Sequence, residues 1–350
     1  MAEYICDVCS REFDEEEKKL TDDNKKCILH CNKKDIYTEN LVKKKFEEQL
    51  KIKYFNTINK FENIVFPEVN NVFYQEYKEI SFENCTFYGI QILNDLAHNE
   101  DVSLFNHCIF YNYISFQHIH FKTNLFRMCK FSNLTELKIY NSTFKKQLFY
   151  KNLYNNYPSN INLINCKFTK ERFIITKPNT IINTIKIDHC QFIGNFEISK
   201  CSNIKNMTIS DSQFNKNFQL IENNIEDMSL LLSFIKGYGL ITNSVIMSID
   251  IFGVYFNEFT NFQYSKFKSV LDLSNVHFSK QSSFYNTIVE KSINLENTTF
   301  NNEVNFIDIS SKQRIMDANK NFRGYSTPVN VSNRETARKI KDSFERQNNI

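Results

Sequence analysis

KIDHCQF (186–192) is the stretch that decides the fold, because altered copies of it return along most of the chain. They read SFENCTF (81–87), LFNHCIF (104–110), LFRMCKF (125–131), KIYNSTF (138–144), NLINCKF (162–168), TISDSQF (208–214), DIFGVYF (250–256), DLSNVHF (272–278) and NLENTTF (294–300). Each ends in Phe, carries Cys, Ser, Thr or Val two places earlier, and has a large apolar residue five places earlier. The interval is about 22 residues for most copies. A period of that size is the mark of a solenoid, in which each repeat buries its apolar face only by stacking on its neighbours.

In an extended chain a residue two places before the Phe points to the same side as the Phe. The small and the large residue therefore both face inward and fill one corner of a coil. A second Phe follows in most copies, at Phe149, Phe173, Phe196, Phe218, Phe262, Phe284 and Phe306, so each coil has several short faces. Stacked parallel coils make a β-helix, with a Phe column beside a Cys/Ser/Thr column. Three places before the Phe stand Asn84, His107, Asn141, Asn165, His189, Asp211, Asn275 and Asn297, residue types suited to a tight corner. Gly 6 and Pro 4 are too few to make the turns, which leaves that task to these residues.

These units resemble the pentapeptide-repeat family, where a small residue lies two positions before a central Leu or Phe and centres lie five residues apart. The five-residue step is present as Phe82/Phe87, Phe105/Phe110, Phe126/Phe131, Leu163/Phe168, Ile187/Phe192 and Leu295/Phe300. The resemblance covers roughly residues 80–308 and implies a right-handed quadrilateral β-helix. Coils of 20–24 residues, and one step of only 13 from Phe131 to Phe144, depart from the family's twenty-residue coil and predict bulging loops. A looser right-handed β-helix of the pectate-lyase kind is the alternative fold. The layout of a Cys-rich start, repeats and NRETARKIKDSFERQNN (333–349) is also similar to pentapeptide-repeat proteins of low-GC, host-associated bacteria. Some of those are longer and membrane-associated, which implies that this chain is a shortened member.

Composition narrows the function classes. The 350-residue chain has 43 basic and 40 acidic residues, a formal charge of +3, and no electrostatic footprint for nucleic acid. The same near-neutrality argues against an acidic DNA mimic. MAEYICDVCSREF (1–13) has no apolar signal core, and no run of about 18 apolar residues occurs, so the expectation is a cytoplasmic chain without a membrane segment. Its ten cysteines then read as thiols or metal ligands.

Four of those cysteines stand apart. Cys6-x2-Cys9, a spacer, and Cys27-x2-His30-Cys31 have the spacing of a small structural zinc site. Cys6, Cys9 and Cys27 are three ligands; for the fourth, Cys31 is preferred to His30, because four thiolates are the commoner ribbon arrangement. Residues 1–37 contain too little apolar material to fold on a core of their own, and bound metal would supply the missing free energy. Cys85, Cys108, Cys129, Cys166 and Cys190 occupy the small inward slot and read as space-fillers, while Cys201 is off the pattern.

The domain order expected is a zinc head at 1–37, a linking helix at 38–61, repeats at 62–310, an irregular exit at 311–332 and an amphipathic helix at 333–350. Val42, Phe46, Leu50 and Ile58 mark one face of the first helix; Ala337, Ile340 and Phe344 mark one face of the last. Both helices are expected to cap open coil ends. Chemistry within the repeats is sparse: Asp188 and Asp211 fall near equivalent places in adjacent coils, beside His189 and Lys186, and His118 and His120 form a possible half metal site. No Walker A, dinucleotide or nucleophile-elbow motif is present. The leading expectation is a non-enzymatic scaffold for an unidentified protein partner. The alternative is a β-helix carbohydrate-active enzyme or carbohydrate-binding module near Asp188 and Asp211. A nucleic-acid role would rest on the head and the lysines of the first helix alone.

Overall fold

The computed structural model describes residues 4–21, 23, 25–54, 60–69, 80–93, 102–132, 135–150, 157–169, 172–176, 181–306, 309, 314–316, 322–325 and 329–348. It is a mainly β protein, a β-solenoid whose coils lie about 22 residues apart, with three helices among the described residues. The helices are α1 (Glu15–Thr21), α2 (Asn40–Tyr54) and α3 (Arg334–Asn348). The chain divides into two compact units, Met1–Ile161 and Asn162–Ile350.

In the first unit the predicted Phe column is present twice over. Phe61, Phe82, Phe105, Phe126 and Phe149 lie in parallel register, coil upon coil. Their rings stack at 5.2, 5.0, 5.5 and 5.7 Å. A second column holds Phe66, Phe87, Phe110 and Phe131 at 4.7, 5.1 and 5.4 Å. The columns meet edge to face, as Phe82 and Phe87 do at 81°, the geometry that puts the positive ring edge on the negative face. The 13-residue step has a simple cause: Phe144 does not continue the Phe131 column. It stacks on Phe121 at 4.7 Å, on another face of the coil.

The second unit repeats the scheme. Phe168, Phe192, Phe214, Ile235, Phe256, Phe278 and Phe300 are in register. Phe173, Phe196 and Phe218 form a neighbouring column that passes to Gly239. A Cβ at Gly239 would come within 2.7 Å of the Phe256 ring, so the missing side chain there makes room for the next Phe.

The corners bear out the reading of the position three before the Phe. Asn84, His107, Asn141, Asn165, His189, Asp211, Asn275 and Asn297 all have φ between 48° and 57°. This is the left-handed region, which short polar side chains enter with least cost. The small inward slot is equally consistent: Cys85, Cys108, Cys129, Cys166, Cys190, Ser142, Ser212, Val276 and Thr298 are buried. Its heteroatom also bonds main chain. Cys190 N–H donates to Ser212 Oγ at 3.1 Å, and Ser212 N–H donates to Ser233 Oγ at 3.2 Å. Cys201 proves to belong to a second such column, its N–H donating to Asn223 Oδ1, Asn223 N–H to Ser244 Oγ, and Ser244 N–H to Ser265 Oγ.

At the start of the first unit, β1 (Tyr4–Ile5) and β2 (Glu12–Phe13) pair antiparallel, and β3 (Lys60–Glu62) and β4 (Val65–Val69) open the first coil. Val42, Phe46 and Leu50 of α2 are buried as the periodicity predicts; Ile58 lies outside the described residues. The Phe46 ring meets Phe66 at 5.4 Å and Tyr54 meets Phe61 at 4.9 Å, so α2 covers the first coil. In the second unit, α3 covers a late coil, with Ile340 buried as expected but Ala337 not. Thr336, Ile340 and Ser343 are buried, while Ala337 is exposed and the Phe344 side chain lies outside the described residues. The reason is main-chain demand. Thr336 Oγ1 donates to Thr298 O at 2.7 Å, Lys339 Nζ to Phe300 O, and Phe306 N–H to Ser343 Oγ at 2.9 Å.

Candidate metal centre

The first knuckle grows out of the β1–β2 hairpin. Ser10 N–H closes a turn onto Cys6 O at 2.8 Å, with Ser10 at φ 54°, and this brings Cys9 back toward Cys6. The second knuckle is a turn in which His30 N–H and Cys31 N–H both donate to Cys27 O, at 2.9 and 3.0 Å. Asp7 N–H to Lys25 O at 2.8 Å ties the two together.

The result is a four-residue cluster: Cys6, Cys9, Cys27 and His30, with ligand atoms all within 4.8 Å of one another. Cys9 Sγ lies 3.8 Å from Cys27 Sγ, and His30 Nδ1 lies 3.2 Å from Cys27 Sγ and 3.6 Å from Cys6 Sγ. Zinc held tetrahedrally at about 2.3 Å from sulfur and about 2.0 Å from nitrogen would separate its ligands by roughly 3.5–3.8 Å. The donor set and spacing therefore fit that ion.

The expected fourth ligand, Cys31, is not in the cluster; His30 stands in its place. The turn explains the difference. A residue three after Cys27 returns to the same side of the tight turn, whereas Cys31, one further on, turns inward. Its Sγ lies against Ile28 O at 3.8 Å, and its burial pushes the thiol up.

Surrounding charges hold the cluster in place. Glu17, which is buried, pairs with Arg11 and accepts the Ile28 N–H at 2.6 Å, fixing the second turn. Arg11 also donates to Gln49 of α2 at 2.5 Å. Burial pushes the Cys27 thiol up to about 12, with Arg11 opposing it. Burial raises Cys6 as well, but donors at Cys27, Val8 and Cys9 outweigh it, and the thiol ends below its usual range. Burial takes the His30 imidazole down to about 4, with Lys53, Lys33, Arg11 and Lys26 adding to the shift. A neutral imidazole among thiols is the form a metal takes.

In the second unit Asp188, His189 and Asp211 also come together. His189 Nδ1 is 2.9 Å from Asp188 Oδ1, and Ser210 Oγ donates to the same oxygen at 2.7 Å. Burial raises the Asp188 carboxyl, but these two bonds prevail and hold it below its ordinary value. His118 and His120 are not a pair on one strand: His118 is a corner residue at φ 56°, and His120 bonds Thr143.

One surface feature has no counterpart in the sequence reading. In two adjacent coils of the second unit large apolar side chains are exposed at or beside the corner, which is Leu232 in one coil and Gly253 in the next. Leu232 is 57% exposed, Phe252 41% and Tyr255 40%. Tyr255 stacks on Phe234 at 5.4 Å, and Leu232 Cδ2 leans to 2.7 Å from where a Cβ at Gly253 would be. Gly253 is thus required twice over, by that contact and by its φ of 64°. The signal was available: HCQ and DSQ at 189–191 and 211–213 become LSF at 232–234.

No family model, curated protein or solved structure matches this chain. Among the described residues no helix is long and apolar enough to cross a membrane.

Proposed function

We propose that this protein is a non-enzymatic protein-binding scaffold, a pentapeptide-repeat-like β-helix whose N-terminal head is held by one structural zinc ion. The zinc takes Cys6, Cys9, Cys27 and His30, and four protein ligands leave it no open position for water or substrate. Zinc held by thiolates fits a reducing, cytoplasmic setting.

The observation that carries the binding role is the exposure of Leu232, Phe252 and Tyr255 at and beside one corner. Large apolar side chains left exposed on neighbouring coils are what a protein partner buries. Leu232 also sits at φ 46°, a left-handed conformation that costs a Leu about 1–2 kcal/mol. Asn would relieve that strain, so Leu232→Asn combined with Phe252→Ser should keep the fold. We expect the parent chain to retain a protein from extracts of its native cells and the double variant to lose it. Equal retention by both chains, with unchanged melting, would sink the scaffold reading. For the metal, about one zinc per chain is expected, kept in Cys31→Ser and lost in His30→Ala.

A second reading, carbohydrate binding or cleavage, is favoured by the meeting of Asp188, His189 and Asp211. Glycan binding by the parent chain that Asp188→Asn and Asp211→Asn abolish would support it over the scaffold.

A further inference from the structure

The metal-binding turn does more than close on itself: it is bonded to the open end of the solenoid. Residue Val65 in β4 turns its N–H and C=O away from the neighbouring coil strand, toward the head. The N–H donates to Leu29 O at 2.9 Å, and Leu29 lies between Cys27 and His30 in the metal-binding turn. The C=O accepts from Lys33 Nζ at 2.6 Å. Lys33 is fully buried, its ammonium 5.1 Å from the centre of the Phe46 ring. Glu68 N–H donates to Tyr37 O at 3.2 Å, and on the next coil Tyr88 Oη donates to Asn32 Oδ1 at 2.6 Å. The Val65 and Glu68 main-chain groups of the first coil are thus satisfied by the head.

From this geometry we propose that metal occupancy gates the N-terminal edge of the first coil: unloading the ion opens the edge of β4, and the opened edge takes a second copy of this chain. The inference rests on the zinc reading above. Without the ion, residues 1–37 have a small apolar core, and the turn carrying Leu29 and the approach to Lys33 lose their anchor. Val65 is then left with an unpaired N–H and C=O on a strand edge, the arrangement that recruits another strand. Another chain offers the identical edge, and a twofold pairing of the two uses the same residues on both sides. Two features limit growth. Pro67 removes a donor from the same edge, so the pairing is short, and α3 covers main-chain groups of the late coil in the second unit. The product is a reversible dimer and not a fibre.

The test uses the full chain with zinc content, amide exchange and sedimentation read on the same samples. With zinc bound, the Val65 and Glu68 amides should be protected and the chain monomeric. After chelation their exchange should accelerate by at least about tenfold, a dimer should form, and zinc should reverse both. Val65→Lys, which places a charge on the edge, should lose zinc and protection on chelation in the same way yet stay monomeric. A chain that never holds zinc fails the metal reading itself. A chain that loses zinc while keeping these amides protected, staying monomeric, growing past a dimer, or dimerising equally well as Val65→Lys overturns the gate.

Discussion

His30 shows how a single side chain joins sequence, burial and chemistry. Its imidazole lies among three cysteines and several cations, and burial takes it down to about 4 from an ordinary 6.5. In the unfolded chain it would bind a proton near its ordinary value. Between about 6.5 and about 4 the unfolded state therefore holds a proton that the folded state refuses. The metal-free head should lose stability as pH falls through that window, with no further loss from this group below it. Urea midpoints of the chelated chain against pH would show the slope, and His30→Asn should flatten it. The sequence located three of the four clustered residues from spacing alone. The choice between His30 and Cys31 was not legible, because both fit the spacing and only the turn on Cys27 O decides which one faces the cluster. Corner residues were the opposite case: Asn, Asp and His at one fixed position announced the left-handed turn directly.

At the scale of elements, α2 and α3 solve the same problem by different means. α2 lays Phe46 and Tyr54 on the aromatic rings of the first coil, and its 3.6-residue periodicity gave its buried face from sequence. α3 instead turns Thr336, Lys339 and Ser343 toward main-chain groups of the solenoid. Its buried face is partly polar, so an apolar-stripe reading named Ala337 and missed Thr336. Removing one of these polar contacts should tell. Thr336→Val keeps the shape but strips the donor from Thr298 O, and should cost about 1–3 kcal/mol as a buried acceptor goes unpaired. Thermal melting of the variant beside Ala337→Ser, an exposed control, would measure it; equal melting of the two would mean that α3 docks by its apolar contact alone.

Across the whole molecule the strongest regularity is the exchange of one coil for the next. Like residues occupy like places: Gln191 stands over Gln213 and Phe192 over Phe214, with the slot heteroatom of Ser212 receiving the N–H of Cys190. This was the most legible part of the sequence, since inward positions must fill the same cross-section in every coil and so cannot vary freely. Outward positions carry no such constraint, so the repeat itself does not announce the exposed Leu232, Phe252 and Tyr255; they show only as apolar residues where neighbouring coils carry polar ones. The register has a further consequence for length. Removing residues 191–212 would join Cys190 directly to Gln213, which stands one coil beyond Gln191, 22 positions on in sequence. Every remaining strand would still find a partner in phase. Such a chain should fold and melt cooperatively, whereas removing 11 residues from the same place should not, as circular dichroism would show. The length of this protein is in that sense counted in coils, and insertion or loss of a whole turn is a change that the architecture tolerates better than many single substitutions.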